Sequence, residues 1–225
     1  MKQALIFDLD GTLVDSLQGI AASLNHALAE SSLPGHPLGA VREFIGNGSR
    51  VLIQRAAPTN ADEFLLDTIE QAFKSHYDSN WQGGTTAYDG IAEMLGSLQA
   101  AGYLLAVLSN KPQPFTEIIV ASTFPTIRFS PVLGQRTGIP HKPDPTGALE
   151  IAKQLCRRPA ECSIIGDSTM DLESARNAGM RAIAVSWGFH DRERLVTAGA
   201  EIIVSDPTSL LACFIEAGLA RPPVR

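Results

Sequence analysis

The sequence predicts an α/β fold, an open parallel sheet flanked by helices, with an all-helical segment inserted after the first strand. Short apolar runs, "ALIF", "YLLAVL", "CSIIG", "AIAVS" and "EIIVS", alternate with amphipathic patterns. Unbroken apolar runs of that length are the pattern of strands buried on both faces of a parallel sheet. Between about Asp15 and Gly84 the pattern changes, because helical periodicity continues with no convincing buried strand. The expected organisation is a core made of residues 1–14 and 84–225 and a helical insert over 15–83.

Each element has its own warrant. "ALIF" opens the sheet and leads directly to Asp8. In the insert, Leu17, Ile20, Ala21, Leu24 and Leu28 share one helical face, and Phe64, Leu65, Ile69 and Phe73 form a second stripe. "SSLPGHPLG" is an internal turn and "WQGGTT" the linker back to the sheet. Ahead of "YLLAVL", Ile91, Met94, Leu95 and Leu98 line one face of a helix that stops at Gly102. In "DPTGALEIAKQL", Asp144 is the expected N-cap and Pro145 suits the first turn. No repeat of fixed period and no low-complexity segment interrupts this order.

With 225 residues, 44% of them hydrophobic, the chain has enough apolar surface for one large domain or a domain with an insertion. A formal net charge of −6 supplies no general attraction for nucleic acid or an anionic membrane, so an anionic ligand needs local cations. Cys156, Cys162 and Cys213 are odd in number and lack metal or redox spacing, which fits reduced thiols. The apolar run before Asp8 is too short for a signal peptide, and no stretch is long enough to span a bilayer. The expectation is a cytoplasmic protein, monomeric or homodimeric, that binds neither nucleic acid nor membrane.

Two like charges, Asp8 and Asp10, follow the first apolar run one residue apart. Burial would worsen their repulsion, so a bound cation or a retained proton has to compensate. "YLLAVL" leads to Ser109 and Asn110, and "CSIIG" leads to Asp167; Lys142 lies in "HKPDP" just before a helix. In an open parallel sheet the carboxyl ends of the strands border the ligand crevice. Singly, each residue has a plain structural role: a turn, a strand end, an N-cap or a solvated lysine. Together, in order and each just past a strand, they form one candidate site.

Those residues also carry a family resemblance. "DLDGTLVDS", "LSNKP", "HKPDP" and "IIGDSTMD" resemble, in order, the four motifs of the haloacid dehalogenase superfamily, across essentially the whole chain. The insert falls where the capped subgroup of that superfamily carries its mobile cap, and "IGNGSRVLIQRA" and "SWGFHDRERLVTAGAEIIVSDPTSL" resemble the phosphoglycolate phosphatase branch. The resemblance implies a Rossmann-like core, Mg²⁺ as cofactor and a small phosphorylated metabolite as substrate, 2-phosphoglycolate first, with pyrophosphate, a nucleotide or a sugar phosphate as the alternatives. It implies that Asp8 is the nucleophile forming an aspartyl-phosphate and Asp10 the acid and then base. Asp8, the Asp10 backbone carbonyl and Asp167 would hold the metal, with Asp171 partnering a metal-bound water or Lys142. Lys142 and Ser109 would neutralise phosphate oxygens, with Asn110, Gly11 and Thr12 completing the phosphate site.

An acid at position 10 disfavours dehalogenase and phosphonatase chemistry within that superfamily, whereas a sugar phosphomutase would keep it. A receiver-type phosphorylation switch also joins acids, a metal, a hydroxyl and a lysine, but its acceptor normally stands apart from the acidic pair and no helical cap interrupts it. A catalytically idle binding protein is disfavoured by the intact set of groups. In the insert, Arg50 and Arg55 are candidates for a substrate carboxylate, weighed against ion pairing within the insert. The five histidines lack ligand spacing, and Trp81 and Trp187 are expected to pack rather than stack on a base.

Overall fold

A computed structural model of the chain describes residues 2–215, so the end of the expected core, 216–225, lies outside the described residues. The chain begins with β1 (Ala4–Phe7), whose four residues are all fully buried, as an unbroken apolar run requires. It then turns into a two-residue strand, β2 (Val14–Asp15), and enters four helices: α1 (Leu17–Glu30), α2 (Leu38–Phe44), α3 (Ser49–Ala56) and α4 (Glu63–Asn80). It returns through a short 3₁₀ turn, Trp81–Gly84, and β3 (Thr86–Ala87), which pairs antiparallel with β2. From there the order is α5 (Ile91–Ala100), β4 (Leu104–Pro112), α6 (Gln113–Thr123), β5 (Phe129–Gln135), α7 (Thr146–Gln154) and β6 (Cys162–Gly166). α8 (Thr169–Ala178), β7 (Arg181–Val185), α9 (Arg192–Thr197), β8 (Ile203–Val204) and α10 (Pro207–Ile215) complete it.

The main sheet is parallel, six-stranded and ordered β5-β4-β1-β6-β7-β8. β1 lies between β4 and β6, with Phe7 opposite both Val107 and Ile165. The chain therefore builds outward on one side of β1 and then on the other, and the crevice forms where that direction reverses. This places the residues following β1, β4 and β6 side by side. Among the described residues no helix is long and apolar enough to cross a membrane.

All five anticipated strands form, but the sheet has one more. β5, "FSPVLGQ", contains Pro131 and Gly134 and has no clean apolar run. It occupies the sheet edge, where a missing N–H and a missing side chain are tolerated. In α4 the expected stripe is corrected: Phe64 is 80% exposed, and the buried face is Leu66, Ile69, Phe73 and Tyr77. That face keeps helical spacing, and Phe64 falls outside it because it precedes Ile69 by five residues, roughly 140° round the helix; the helix starts at Glu63, capped by the Asp62 carboxylate accepting from Leu65 N–H. α7 starts at Thr146, so Pro145 rather than Asp144 is the residue at its cap; the Asp144 carboxylate accepts from Thr146 N–H at 2.9 Å. The α1 residues Ile20, Ala21, Leu24 and Leu28 are buried as expected, in an apolar cluster that continues from the sheet into the insert. Trp81 is buried in the same cluster.

Candidate active site

β1 ends at Phe7, and Asp8 is the first residue beyond it, its own N–H still bonded to Ile165 O of β6. The chain then closes a tight turn in which Leu9 O accepts from Thr12, Leu13 and Val14 N–H. Gly11 makes the turn possible at φ +85°, and any Cβ there would collide with the Asp167 carboxylate. The turn gives the two acids different surroundings. Asp8 Oδ1 accepts from Leu9 N–H at 2.7 Å and faces Lys142 Nζ at 2.8 Å. Asp10 turns instead to Ser16 Oγ at 2.6 Å and to Lys111 Nζ at 3.0 and 3.1 Å.

β6 delivers the other acids. Asp167 is buried immediately after it, accepting from Thr12 Oγ1 at 2.8 Å and from Phe189 N–H at 2.7 Å. Asp171, in the first turn of α8, accepts from Ser168 N–H and Oγ, a capping box that also aims its second oxygen at Lys142 Nζ, 2.7 Å away. Asp8, Asp167 and Asp171 thus offer carboxylate oxygens within 4.8 Å of one another, an arrangement that could hold a metal ion. The Asp10 carboxylate is not in that group; it belongs to Lys111.

Burial and mutual repulsion set the charge balance of these acids. Burial, then Asp171, raises the Asp8 carboxyl well above the ordinary range, and Lys142 only partly opposes this. Burial, then Asp171, pushes Asp167 up to about 7. Lys142 is held above the usual lysine value, because Asp171 and Asp8 outweigh the opposing effect of burial. Buried Asp167 and Asp171 and partly buried Asp8, with one lysine between them, offer oxygens that could hold a hard cation. His190, on the cavity wall, is pushed down to about 4, by burial first and Arg194 next, and its Nδ1 accepts from Thr169 N–H as a neutral ring.

The strand ends of β4 complete the site. Ser109 and Asn110 are buried, and Asn110 ties three segments together: its amide donates to Lys142 O and Gly46 O and accepts from Lys142 N–H. That bonding fixes the loop carrying Lys142 and brings the α2–α3 connection over the site. A cavity of about 80 Å³ lies between the strand ends and the insert, bordered by Asp8, Asp10, Lys111, Phe73, Tyr77 and Phe115. Arg50 and Arg55 do not border it. Arg50 pairs with Glu63, Asp67 and Glu70, and Arg55 donates to Phe44 O and Asn47 Oδ1. Lys111 is the residue that sequence reasoning missed, although it directly follows Ser109 and Asn110 in "LSNKP" and is an ammonium inside a buried strand.

The model of the haloacid dehalogenase-like hydrolase family matches residues 5–185. The chain belongs to that family. A phosphoglycolate phosphatase of Mesorhizobium japonicum is 35% identical to this haloacid dehalogenase-like hydrolase over 196 residues, covering 85% of this chain and 86% of the relative. The crystal structure of a predicted phosphoglycolate phosphatase from Haemophilus somnus matches with a TM-score of 0.87 at 29% identity, covering 94% of this chain and 97% of the other. A family hydrolase from Deinococcus radiodurans, solved with bound phosphate and sodium, matches with a TM-score of 0.75 at 27% identity, covering 99% of each chain. With such relatives, the haloacid dehalogenase-like hydrolase described above is an enzyme of the phosphatase class.

Proposed function

We propose that the chain hydrolyses a small phosphorylated acid, 2-phosphoglycolate first among them, by way of an aspartyl-phosphate on Asp8. The observation that carries this reading is the separation of the two acids: Asp8 lies on Lys142 and the acidic cluster, Asp10 lies on Lys111, and both border one cavity. The names of the relatives support the substrate.

Asp8 Oδ attacks phosphorus and the bond from phosphorus to the ester oxygen breaks. Asp10, whose contact with Lys111 has to loosen for it to hold a proton, gives that proton to the ester oxygen, then takes one from the water that hydrolyses the acyl phosphate, so Asp8 and Asp10 return to their starting states. Lys142 and the Ser109 hydroxyl face the phosphoryl oxygens, while Asn110 holds the Lys142 loop and Thr12 orients Asp167. Mg²⁺, held by Asp8, Asp167 and the Asp10 carbonyl with Asp171 alongside, would offset the acidic charge and polarise the phosphoryl group. The helices of 15–83 serve as a cap that excludes water. That the Deinococcus radiodurans relative was solved with bound phosphate and sodium supports a phosphoryl-group ligand. A substrate panel ranked by kcat/KM, run with Mg²⁺ and after chelation, tests the reading; preference for a sugar phosphate or full activity without metal would defeat it.

A further inference from the structure

Asp167, Ser168 and Asn110 border the cavity beside Asp8 and Asp10, and the side towards the insert is mostly apolar, with Ile20, Leu52, Phe73 and Phe115 prominent and Lys111 and Tyr77 among its polar groups. Lys111, from β4, is buried and lies 4.6 Å from the centre of the Tyr77 ring while contacting both Asp10 oxygens. An ammonium has three protons, so these contacts leave it with a donor in hand. Tyr77, from α4, is only 2% exposed, and its hydroxyl makes no full hydrogen bond, although the Lys111 ammonium is near enough to interact with it. A buried hydroxyl without a partner is costly and uncommon, which points to a partner arriving from outside. The other cation on the wall, Lys74, is half exposed and already paired with Glu70 at 2.7 Å.

We propose that Lys111 and Tyr77 form the subsite for an anionic group on the leaving half of the substrate, a carboxylate one carbon away from the ester oxygen. The inference rests on the phosphatase reading and adds the residues that select an acid. Asp10 must come within hydrogen-bond distance of the ester oxygen, about 2.7 Å, to protonate it. Lys111 Nζ is 3.0 Å from that same carboxylate, so an anion one methylene beyond the ester oxygen falls within its reach. On binding, the ammonium exchanges part of its contact with Asp10 for the substrate carboxylate, and the Tyr77 hydroxyl donates to the second oxygen. An acid entering an apolar chamber needs such partners, because an unpaired carboxylate is strongly disfavoured away from water. Since one group comes from the core and the other from the insert, the subsite is complete only when the insert is seated.

The test compares 2-phosphoglycolate with 2-hydroxyethyl phosphate, which has the same carbon count and no carboxylate. In Lys111→Met the ratio of kcat/KM for the acid over the alcohol is expected to fall about 10–100-fold, mostly through KM, as for loss of a charge-assisted hydrogen bond. Tyr77→Phe, which keeps the packing, should lower the ratio about 3–10-fold, and Lys111→Arg should recover part of it. Calorimetric binding of both compounds to the Asp8→Asn protein, with and without each substitution, should show the same selective loss for the acid. Equal losses on both compounds overturn the inference and leave Lys111 as a residue that only positions Asp10. A wild type that handles both compounds equally well also overturns it while the phosphatase reading stands. Inactivity of the wild type on every phosphate ester brings down that reading and this inference together.

Discussion

Asp8 and Asp10 are two positions apart and chemically alike, and the tight turn at Gly11 gives them separate partners. Asp8→Asn should therefore abolish turnover without unfolding the protein, since the amide keeps the shape and is a poor nucleophile; steady-state kinetics beside a circular dichroism melt check both halves. Asp10→Asn should depend on the leaving group. Its loss should be about 10²–10⁴-fold for an alkyl phosphate, the usual contribution of general acid–base catalysis, and clearly smaller for an acyl phosphate. Equal loss on both would remove the acid role. Asp8, Ser109, Asn110 and Asp167 were legible in the sequence because each follows an apolar run, and strand order brings the ends of β1, β4 and β6 together. Cations were less legible. Arg50 and Arg55 are spent on partners within the insert and Lys111 faces the cavity, a distinction set by helix phase and neighbours rather than by residue type.

At the scale of the element, α4 shows what periodicity does and does not decide. That the segment is helical follows from its pattern, but which apolar residues are buried depends on their angular positions: Phe64 lies roughly 140° round the helix from Ile69, while Leu66, Phe73 and Tyr77 stay within about 80° of it. Phe64→Ala should accordingly change stability by no more than about 0.5 kcal/mol, as for an exposed side chain. Ile69→Ala, at a fully buried site, should cost about 2–5 kcal/mol. Urea denaturation midpoints separate the two, and similar costs would refute the assigned face. β5 escaped the sequence for a related reason: an edge strand need not be apolar throughout, so Pro131 and Gly134 hid it. The α2–α3 connection is held over the site by Arg42, which donates to Phe189 O at 2.6 Å and to Gly188 O at 2.5 Å. Arg42→Ala should speed amide hydrogen exchange across 42–48 and raise KM several-fold, on the scale of about 0.5–1.5 kcal/mol per lost bond; unchanged exchange would show that the connection is held elsewhere.

For the whole molecule, the clustered acids would link a bound cation to stability and to pH. Asp167 is raised to about 7 in the fold against about 3.9 in an unfolded chain. Between those values the folded state binds the extra proton, so the stability that Asp167 contributes is present in acid and lost as pH rises towards 7. Asp8 is raised in the same sense, by burial and by Asp171. His190 works in the opposite direction: its folded value of about 4 lies below that of an unfolded histidine, about 6.5, so its contribution is lost as pH falls through that range. The two trends overlap, and a simple plot of melting temperature against pH would mix them. The increment produced by Mg²⁺ separates them, because His190 is common to both arms while a cation favours the ionised carboxylates. Mg²⁺ at a hundredfold excess over its Kd should add about 2.7 kcal/mol, roughly 5–10 °C for a chain of this size. The increment should be larger at pH 8 than at pH 5, where protons compete for the same oxygens. Asp167→Asn should sharpen the result: its amide oxygen can still accept from Phe189 N–H and its NH₂ can donate to Thr12 Oγ1, replacing the present bonds. The variant should melt higher than the wild type in chelator at pH 8, having lost a buried charge, and should lose most of the Mg²⁺ increment. Thermal melts of both proteins, with chelator or Mg²⁺ at the two pH values, measure all of these differences, and an increment of equal size at both pH values would break the assignment of the cation to these carboxylates.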